Sequence, residues 1–373
     1  DTDRHGQPWD RGCHWLHTAE TNPFRQLADD LGEPYNTGDA PRHIHLGRRW
    51  ASADEVAALN AFTARANAAI ESHGEAGRDL PASWVLPEGS PWLPVYRQWL
   101  AAVAGAAPAG TATLDAARYV DSAANWPVRN GFGRLVAHWG ADVPAAVNTP
   151  VREIDRRGPT VCLHTPNGTV HARRAIVTAS TSALAHGAVR FTPELPGWMA
   201  DALAAAPLGG AEKVMLAFDR DIFGLGHSFA SSLRRAPYGF EIQITPFGRP
   251  VAVAHCGGRF ATEMAELGPR VLTEQARACL RDLAGSAVDR HLVDSAVTGW
   301  TRDSAFRGGY SVALPGRARE REALCMPVDE RIWFAGEACD LAAYGTANGA
   351  RASGERAARA AVESITGGAH ATG

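Results

Sequence analysis

The run RIWFAGEACDLAAYGTANGARASGERAARAAV, residues 331–362, restricts the fold more than any other part of the chain. An apolar strand at about 331–335 ends in Gly336-Glu337. A loop follows, and Gly345, Thr346, Asn348, Gly349 and Ala350 then open a helix over about 348–364. A strand that hands a bare glycine to its carboxyl end, followed by a helix of small residues, belongs in an open α/β sheet, where ligands bind beyond the strand ends. Gly336 lets a ligand approach the backbone, and Glu337 can accept hydrogen bonds from sugar hydroxyls. The helix points its free N–H groups and positive dipole end at the same edge, favouring negative charge there. Ala350, Ala352, Ser353, Gly354, Ala357 and Ala358 let the helix pack closely.

Upstream the period changes several times. Asn22-Pro23 reads as a helix start with Gly32 as its stop. Residues 41–123 are mainly helical in pattern, with one amphipathic helix over 51–72 capped by Ser52. A Pro- and Trp-rich stretch (81–100) and the run AGAAPAG (104–110) interrupt it. Residues 150–180 alternate as strands about the hairpin signal Asn167-Gly168. They end in Ala175-Ile176-Val177-Thr178-Ala179, apolar on both sides as a parallel strand covered on both faces would be. Strands of a second sheet are expected at 212–219, 240–246, 250–255 and 292–300, with a helix near 266–284. The pattern is α/β: two sheets woven from alternating segments.

With 373 residues the chain has room for two domains, and 45% apolar against 21% charged residues is ordinary for a globular enzyme. A net charge of -3 gives no footprint for nucleic acid. No apolar run approaches the ~20 residues that span a bilayer. No charged-then-apolar leader is present, so the expected location is cytoplasmic, with the six scattered cysteines as buried reduced thiols. His14 with His17, or His43 with His45, lack a third ligand at sensible spacing, and no metal site is expected.

Four ordered blocks carry a resemblance. Residues 331–362 resemble the C-terminal flavin-binding motif of the flavin-containing amine oxidases, the family of monoamine and polyamine oxidases. Residues 10–32 (DRGCHWLHTAETNPFRQLADDLG) are similar to the family segment that follows its glycine-rich nucleotide motif. Residues 126–184 resemble a later unit through Gly131, Gly133, Val151, Ile154, Gly168, Ile176 and Thr178. Residues 207–218 (PLGGAEKVMLAF) resemble the strand that bears the active-site lysine, with Gly209 and Lys213 at the family spacing.

The resemblance implies an FAD-binding Rossmann-like domain from residues 1–40, 126–190 and 301–373. A mixed-sheet plus helices substrate domain would come from residues 41–125 and 191–300. It implies that Lys213 orders a water beside the flavin and that Tyr310 walls the substrate site. Val151, Trp300, Gly336, Glu337, Thr346, Asn348, Gly349 and Ala350 would lie about the cofactor. Without the resemblance, Lys213 could equally be a strand-edge lysine reaching solvent, and Tyr310 and Trp300 core aromatics. Two positions depart from monoamine oxidases. Thr346 stands where they carry a second cage tyrosine, which argues against a simple arylalkylamine substrate. Gly309 replaces the cysteine that tethers flavin in some of them, so FAD is expected to be non-covalent.

The function implied is oxidation of a C–N bond of a small-molecule amine by hydride transfer to the flavin, with oxygen as acceptor. A desaturase or porphyrinogen-type oxidase acting on C–C bonds, and a non-catalytic remnant, are the alternatives. Family members begin with a βαβ unit carrying G-x-G-x-x-G. None precedes Asp10, so roughly 40 residues are expected to be absent upstream, such a unit needing about 30 or more. The chain alone is then expected to dissolve poorly and to retain no FAD.

Overall fold

A computed structural model of the chain describes residues 2–4, 6–38 and 40–366. The Gly/Ala-rich end, residues 367–373, lies outside them. The fold is α/β, as expected, but its strands fall into more groups than the two sheets anticipated.

The largest sheet has six strands in the spatial order Leu292–Val297, Ala211–Phe218, Val251–Gly257, Glu241–Ile244, Ser228–Ser232 and Arg42–His45. All neighbours are antiparallel except the last pair. Val214, Leu216, Phe218, Ala252 and Ala254 face Leu272, Ala276 and Leu280 of the helix Pro269–Ala284. Met215 and Ala217 face the other way, beside Val251 and Val253 of the neighbouring strand and against Trp9. Both faces are covered, so the run is apolar at every position, and Lys213 falls by period on the Met215 side.

Two sequence readings need correction here, and one helix was not anticipated. The stretch 41–123 is not purely helical, because Arg42–His45 joins this sheet. The Pro- and Trp-rich stretch contains the helix Leu93–Ala104, whose Pro94 sits in the first turn, where a missing N–H costs nothing. The helix expected near 266–284 is Pro269–Ala284, and an unanticipated helix, Gly258–Leu267, precedes it across Gly268 at φ 100°.

Other helices follow the sequence closely. Ala53–Glu75 starts on a capping box in which Ser52 and Glu55 satisfy each other's backbone N–H. Pro23–Leu31 starts on Asn22, which accepts from Phe24 N–H, and stops at left-handed Gly32.

A second group of strands forms the other half. Arg190–Thr192, Glu153–Asp155, Val161–Thr165 and Gly168–Ala172 make a four-stranded sheet, with the hairpin at Pro166-Asn167 as read. Ala175–Val177 pairs in parallel with Ile332–Phe334. Trp333 and Ala335 pack under Ala357 and Ala361 of the helix Ala347–Thr366. Ile332, Phe334 and Val177 pack on Met199, Ala202 and Leu203. Ile176 is 39% exposed, so this strand is less covered than its composition suggests. Its face carries one helix over a sheet only two strands wide.

Candidate active site

Lys213 is delivered by the second strand of the large sheet. Its N–H donates to Thr298 Oγ1 at 2.8 Å and its carbonyl accepts from Thr298 N at 3.0 Å, which fixes the backbone. The ammonium reaches across to the segment that precedes Trp15. It donates to Gly12 O at 2.5 Å and Asp10 O at 3.1 Å and lies 5.9 Å from the Trp15 ring centroid. Burial lowers its pKa, while Asp10 and Cys13 oppose the shift. Asp10 caps the helix Phe132–Trp139, accepting from Phe132 N at 2.9 Å and Gly133 N at 3.3 Å, and pairs with His14 Nδ1 at 3.0 Å.

Glu212, next to Lys213 on the opposite face, is 1% exposed. Its carboxylate accepts from Thr298 Oγ1, Trp300 N and Thr301 N. Trp300 is thereby fixed at the end of the strand Leu292–Val297, and its indole N–H donates to Arg11 O at 3.0 Å. Trp300 therefore clamps the segment that carries the acceptors of Lys213.

Tyr310 follows two glycines whose missing side chains let two loops touch. A Cβ on Gly309 would lie 2.5 Å from Ala211 Cβ, and one on Gly209 would lie 2.3 Å from Gly105 O. Gly209 N–H donates to Tyr310 O and Gly309 N–H to Gly209 O. This explains why a glycine four residues before Lys213 and the pair before Tyr310 occur in one chain. The Tyr310 ring lies between Gly105 and Gly345, its hydroxyl donates to Ala102 O, and burial pushes the phenol up.

The Gly336–Gly349 turn meets the same loop. Both oxygens of Glu337 are engaged: Oε1 accepts from Ser311 N at 2.8 Å, Oε2 from Ser311 Oγ and Gly345 N at 2.7 Å each. Glu337 thus ties the Tyr310 loop to the helix entry. Gly336, at φ 138°, is held from one side by Ser353 Oγ, and a Cβ there would meet nothing within 4 Å. Thr346 caps the helix: its hydroxyl donates to Ala343 O and accepts from Gly349 N. Gly349 packs so tightly on the turn that a Cβ would lie 2.0 Å from Ala343 O. Ala350 N–H closes the first helical bond to Thr346 O. Among the described residues, Ala347 and Asn348 N–H have no acceptor in the chain. Val151 stands apart, half-buried beside the cluster that includes Val177 and Phe334.

Close packing and hydrogen bonds thus link the Lys213 strand, the Tyr310 loop, bare Gly336 and a helix tip with open donors. Those features fit a flat, electron-rich ring with a polar chain, as FAD has. Behind Lys213 a chamber of about 30 Å³ is lined by Asp10, His14, Gln243 and His255. A larger groove of about 780 Å³ lies between Arg11 and the helix Pro269–Ala284.

Several residues here escaped sequence reasoning. Arg321, fully buried, pairs with Asp115 through two bonds of 2.9 and 2.8 Å and donates to Ser311 Oγ at 2.7 Å. Its guanidinium lies 4.5 Å from the Tyr344 ring centroid. Nothing in local spacing marks either charge. Glu212 had a signal, since a carboxylate beside Lys213 in an otherwise apolar strand demands a partner. The cysteines also differ from expectation, because Cys13 and Cys325 are exposed. All six are unpaired. Among the described residues no helix is long and apolar enough to cross a membrane.

Polyamine oxidase 4 of Oryza sativa subsp. japonica is 27% identical over 235 residues, 61% of this chain and 47% of that protein. Lysine-specific histone demethylase 1 homolog 1 of the same plant is 27% identical over 241 residues, 62% of this chain and 28% of that protein. The chain spans less than half the length of either relative. Cyclohexylamine oxidase from Brevibacterium oxydans IH-35A shares the fold, with a TM-score of 0.80 over 98% of this chain and 91% of that one, at 19% identity. Residues 87–362 match the family described as flavin containing amine oxidoreductase, and the chain belongs to that family.

Proposed function

We propose that this protein oxidises the C–N bond of a small-molecule amine, with FAD held non-covalently and oxygen as the acceptor. The observation that supports this reading is the hydrogen-bonded linkage of the Lys213 strand, the Tyr310 loop and the open tip of the helix Ala347–Thr366 through Gly209, Gly309 and Glu337. Bound FAD supplies the two-electron acceptor. Gly336, Ala347, Asn348 and Gly349 would hold it: one bare backbone position and a helix start that stabilises negative charge. Glu337 would position that start, and Ala350 and Thr346 would fix its first turn. Trp300 would border the cofactor by clamping residues 10–12, and Val151, beside Val177 and Phe334, would border it apart from those residues. Gly309 offers no thiol for a covalent link. Six unpaired cysteines suit a reducing cytoplasm.

Lys213 has a defined task in this reading. An ammonium carries three N–H donors, and two are taken by Gly12 and Asp10. The third is left for a water, and the chamber beside it has room for one. Thr346 spends its hydroxyl on the helix cap, which argues against a tight aromatic cage built at that position and keeps a C–C-oxidising activity as the rival. Anaerobic mixing of the flavin-loaded protein with a panel of primary and secondary amines tests the reading. Bleaching of the flavin, followed by hydrogen peroxide release on admitting air, is expected. Bleaching only by substrates without a C–N bond to oxidise would overturn it.

A further inference from the structure

Tyr119 directly follows the short helix Thr113–Arg118 and is held from several sides. The next residue, Val120, donates its N–H to Ala342 O at 2.9 Å and accepts from Thr18 Oγ1 at 3.3 Å. Further along, Asn125 meets His17 Nδ1 at 2.6 Å. The Tyr119 ring packs edge-on against Tyr344, with centroids 5.1 Å apart at 62°. Tyr344 is itself immobilised, its ring under the Arg321 guanidinium and its hydroxyl donating to Asp115 O at 3.2 Å. The neighbour of Tyr344 is Gly345, which touches the Tyr310 ring.

Tyr119 and Tyr310 therefore flank the Tyr344-Gly345 turn, one against the Tyr344 ring and the other against Gly345. Tyr119 differs from both neighbours in one respect. Tyr310 and Tyr344 spend their hydroxyls on backbone carbonyls, whereas the Tyr119 hydroxyl has no hydrogen-bond partner among the described residues. Burial raises that phenol to about 12, yet the side chain keeps accessible surface. A half-buried tyrosine with a locked ring and an unspent hydroxyl is built to meet something outside the chain.

We propose that Tyr119 forms an aromatic wall of the amine site beside Tyr310, with Thr346 committed to capping a helix. The wall comes from the segment after Thr113–Arg118, so the substrate is gripped between elements far apart in sequence. It presents a π face to the alkyl or cycloalkyl part of an amine and a hydroxyl to its polar end. This assignment rests on the amine reading above.

The test uses the flavin-loaded protein with Tyr119→Ala and Tyr119→Phe. Tyr119→Ala is expected to raise KM for amines about tenfold with kcat nearly unchanged, because it removes binding shared by ground and transition states. Tyr119→Phe keeps the ring and is expected to recover most of that loss. Calorimetric titration with benzyltrimethylammonium, which has no electron pair on nitrogen to give, is expected to show the same order of affinities without turnover. Unchanged KM and unchanged ammonium affinity in Tyr119→Ala would overturn the proposal. If that variant does not fold, Tyr119→Leu replaces it, and wild-type behaviour there is equally fatal. Should the wild type oxidise no amine, the amine reading falls, and the ammonium titration still decides whether Tyr119 lines a cation-binding wall.

Discussion

The Lys213 ammonium donates to the Gly12 carbonyl at 2.5 Å, so one charged group ties the second strand of the large sheet to the segment that precedes Trp15. Lys213→Met keeps the length of the side chain and removes every donor. Two results are expected in the flavin-loaded protein. Flavin reoxidation slows by more than about tenfold while anaerobic reduction changes far less, as loss of a positioned water would require. The Gly12 and Asp10 carbonyls lose their partner, at a cost of roughly 1–3 kcal/mol, visible as a lower thermal midpoint. Stopped-flow traces for both half-reactions check the first result. Equal slowing of the two would remove Lys213 from its proposed role.

Two glycines of the helix Ala347–Thr366 should respond oppositely to the same substitution. Gly349→Ala places a methyl 2.0 Å from Ala343 O, so the turn must open; overpacking of this kind costs about 1–3 kcal/mol. Flavin retention should fall with it. Gly354→Ala meets nothing within 4 Å and removes a flexible residue from a helix interior, a gain of about 0.5–1 kcal/mol. Thermal midpoints and flavin content of the two variants, measured side by side, check both signs.

These positions also show what the sequence makes legible. The strand, glycine, loop and small-residue helix of residues 331–362 are local features, and each appears where its spacing predicts. Lys213 is legible as a charge opening an apolar strand, although its acceptors are two backbone carbonyls that no side-chain pattern reveals. Ser228–Ser232 went unread because SFASS lacks the branched apolar residues of a strand. Its buried serines are satisfied instead by hydrogen bonds, such as Ser231 Oγ to Glu241 at 2.9 Å. The Asp115–Arg321 pair joins residues 206 apart and exists only once topology has brought a helix end under the Tyr310 loop.

That pair yields a prediction of its own. Arg321→Met leaves the Asp115 carboxylate buried without its partner, and loss of one member of such a pair costs about 3–5 kcal/mol. Ser311 and Tyr344 lose their contact with the guanidinium at the same time. Replacing both charges, Arg321→Met with Asp115→Leu, removes the unpaired carboxylate and should regain most of the stability. Denaturant midpoints of the single and double variants check this. A double variant no more stable than Arg321→Met would show that the ion pair contributes through its links to Ser311 and Tyr344.

His255 lies opposite Lys213 in the neighbouring strand, 5.5 Å from the Trp15 ring centroid, with Nε2 buried and, among the described residues, without a hydrogen-bond partner. Burial, then Lys213 and His14, hold its pKa well below the ordinary 6.5. The unfolded chain takes up a proton near 6.5 that the folded chain resists. Between the folded value and 6.5 the unfolded state therefore binds more protons, and stability falls as pH drops through that window. The limiting slope for one such group is about 1.4 kcal/mol per pH unit. His17 and His227 are lowered by burial as well and add to the same trend. His255→Leu removes one titrating group and the orphaned ring nitrogen together. Its thermal midpoint at about pH 8 should match or exceed the wild type, and the decline toward about pH 5 should be shallower. A wild-type midpoint that rises on acidification across that range would contradict the burial of these imidazoles beside Lys213.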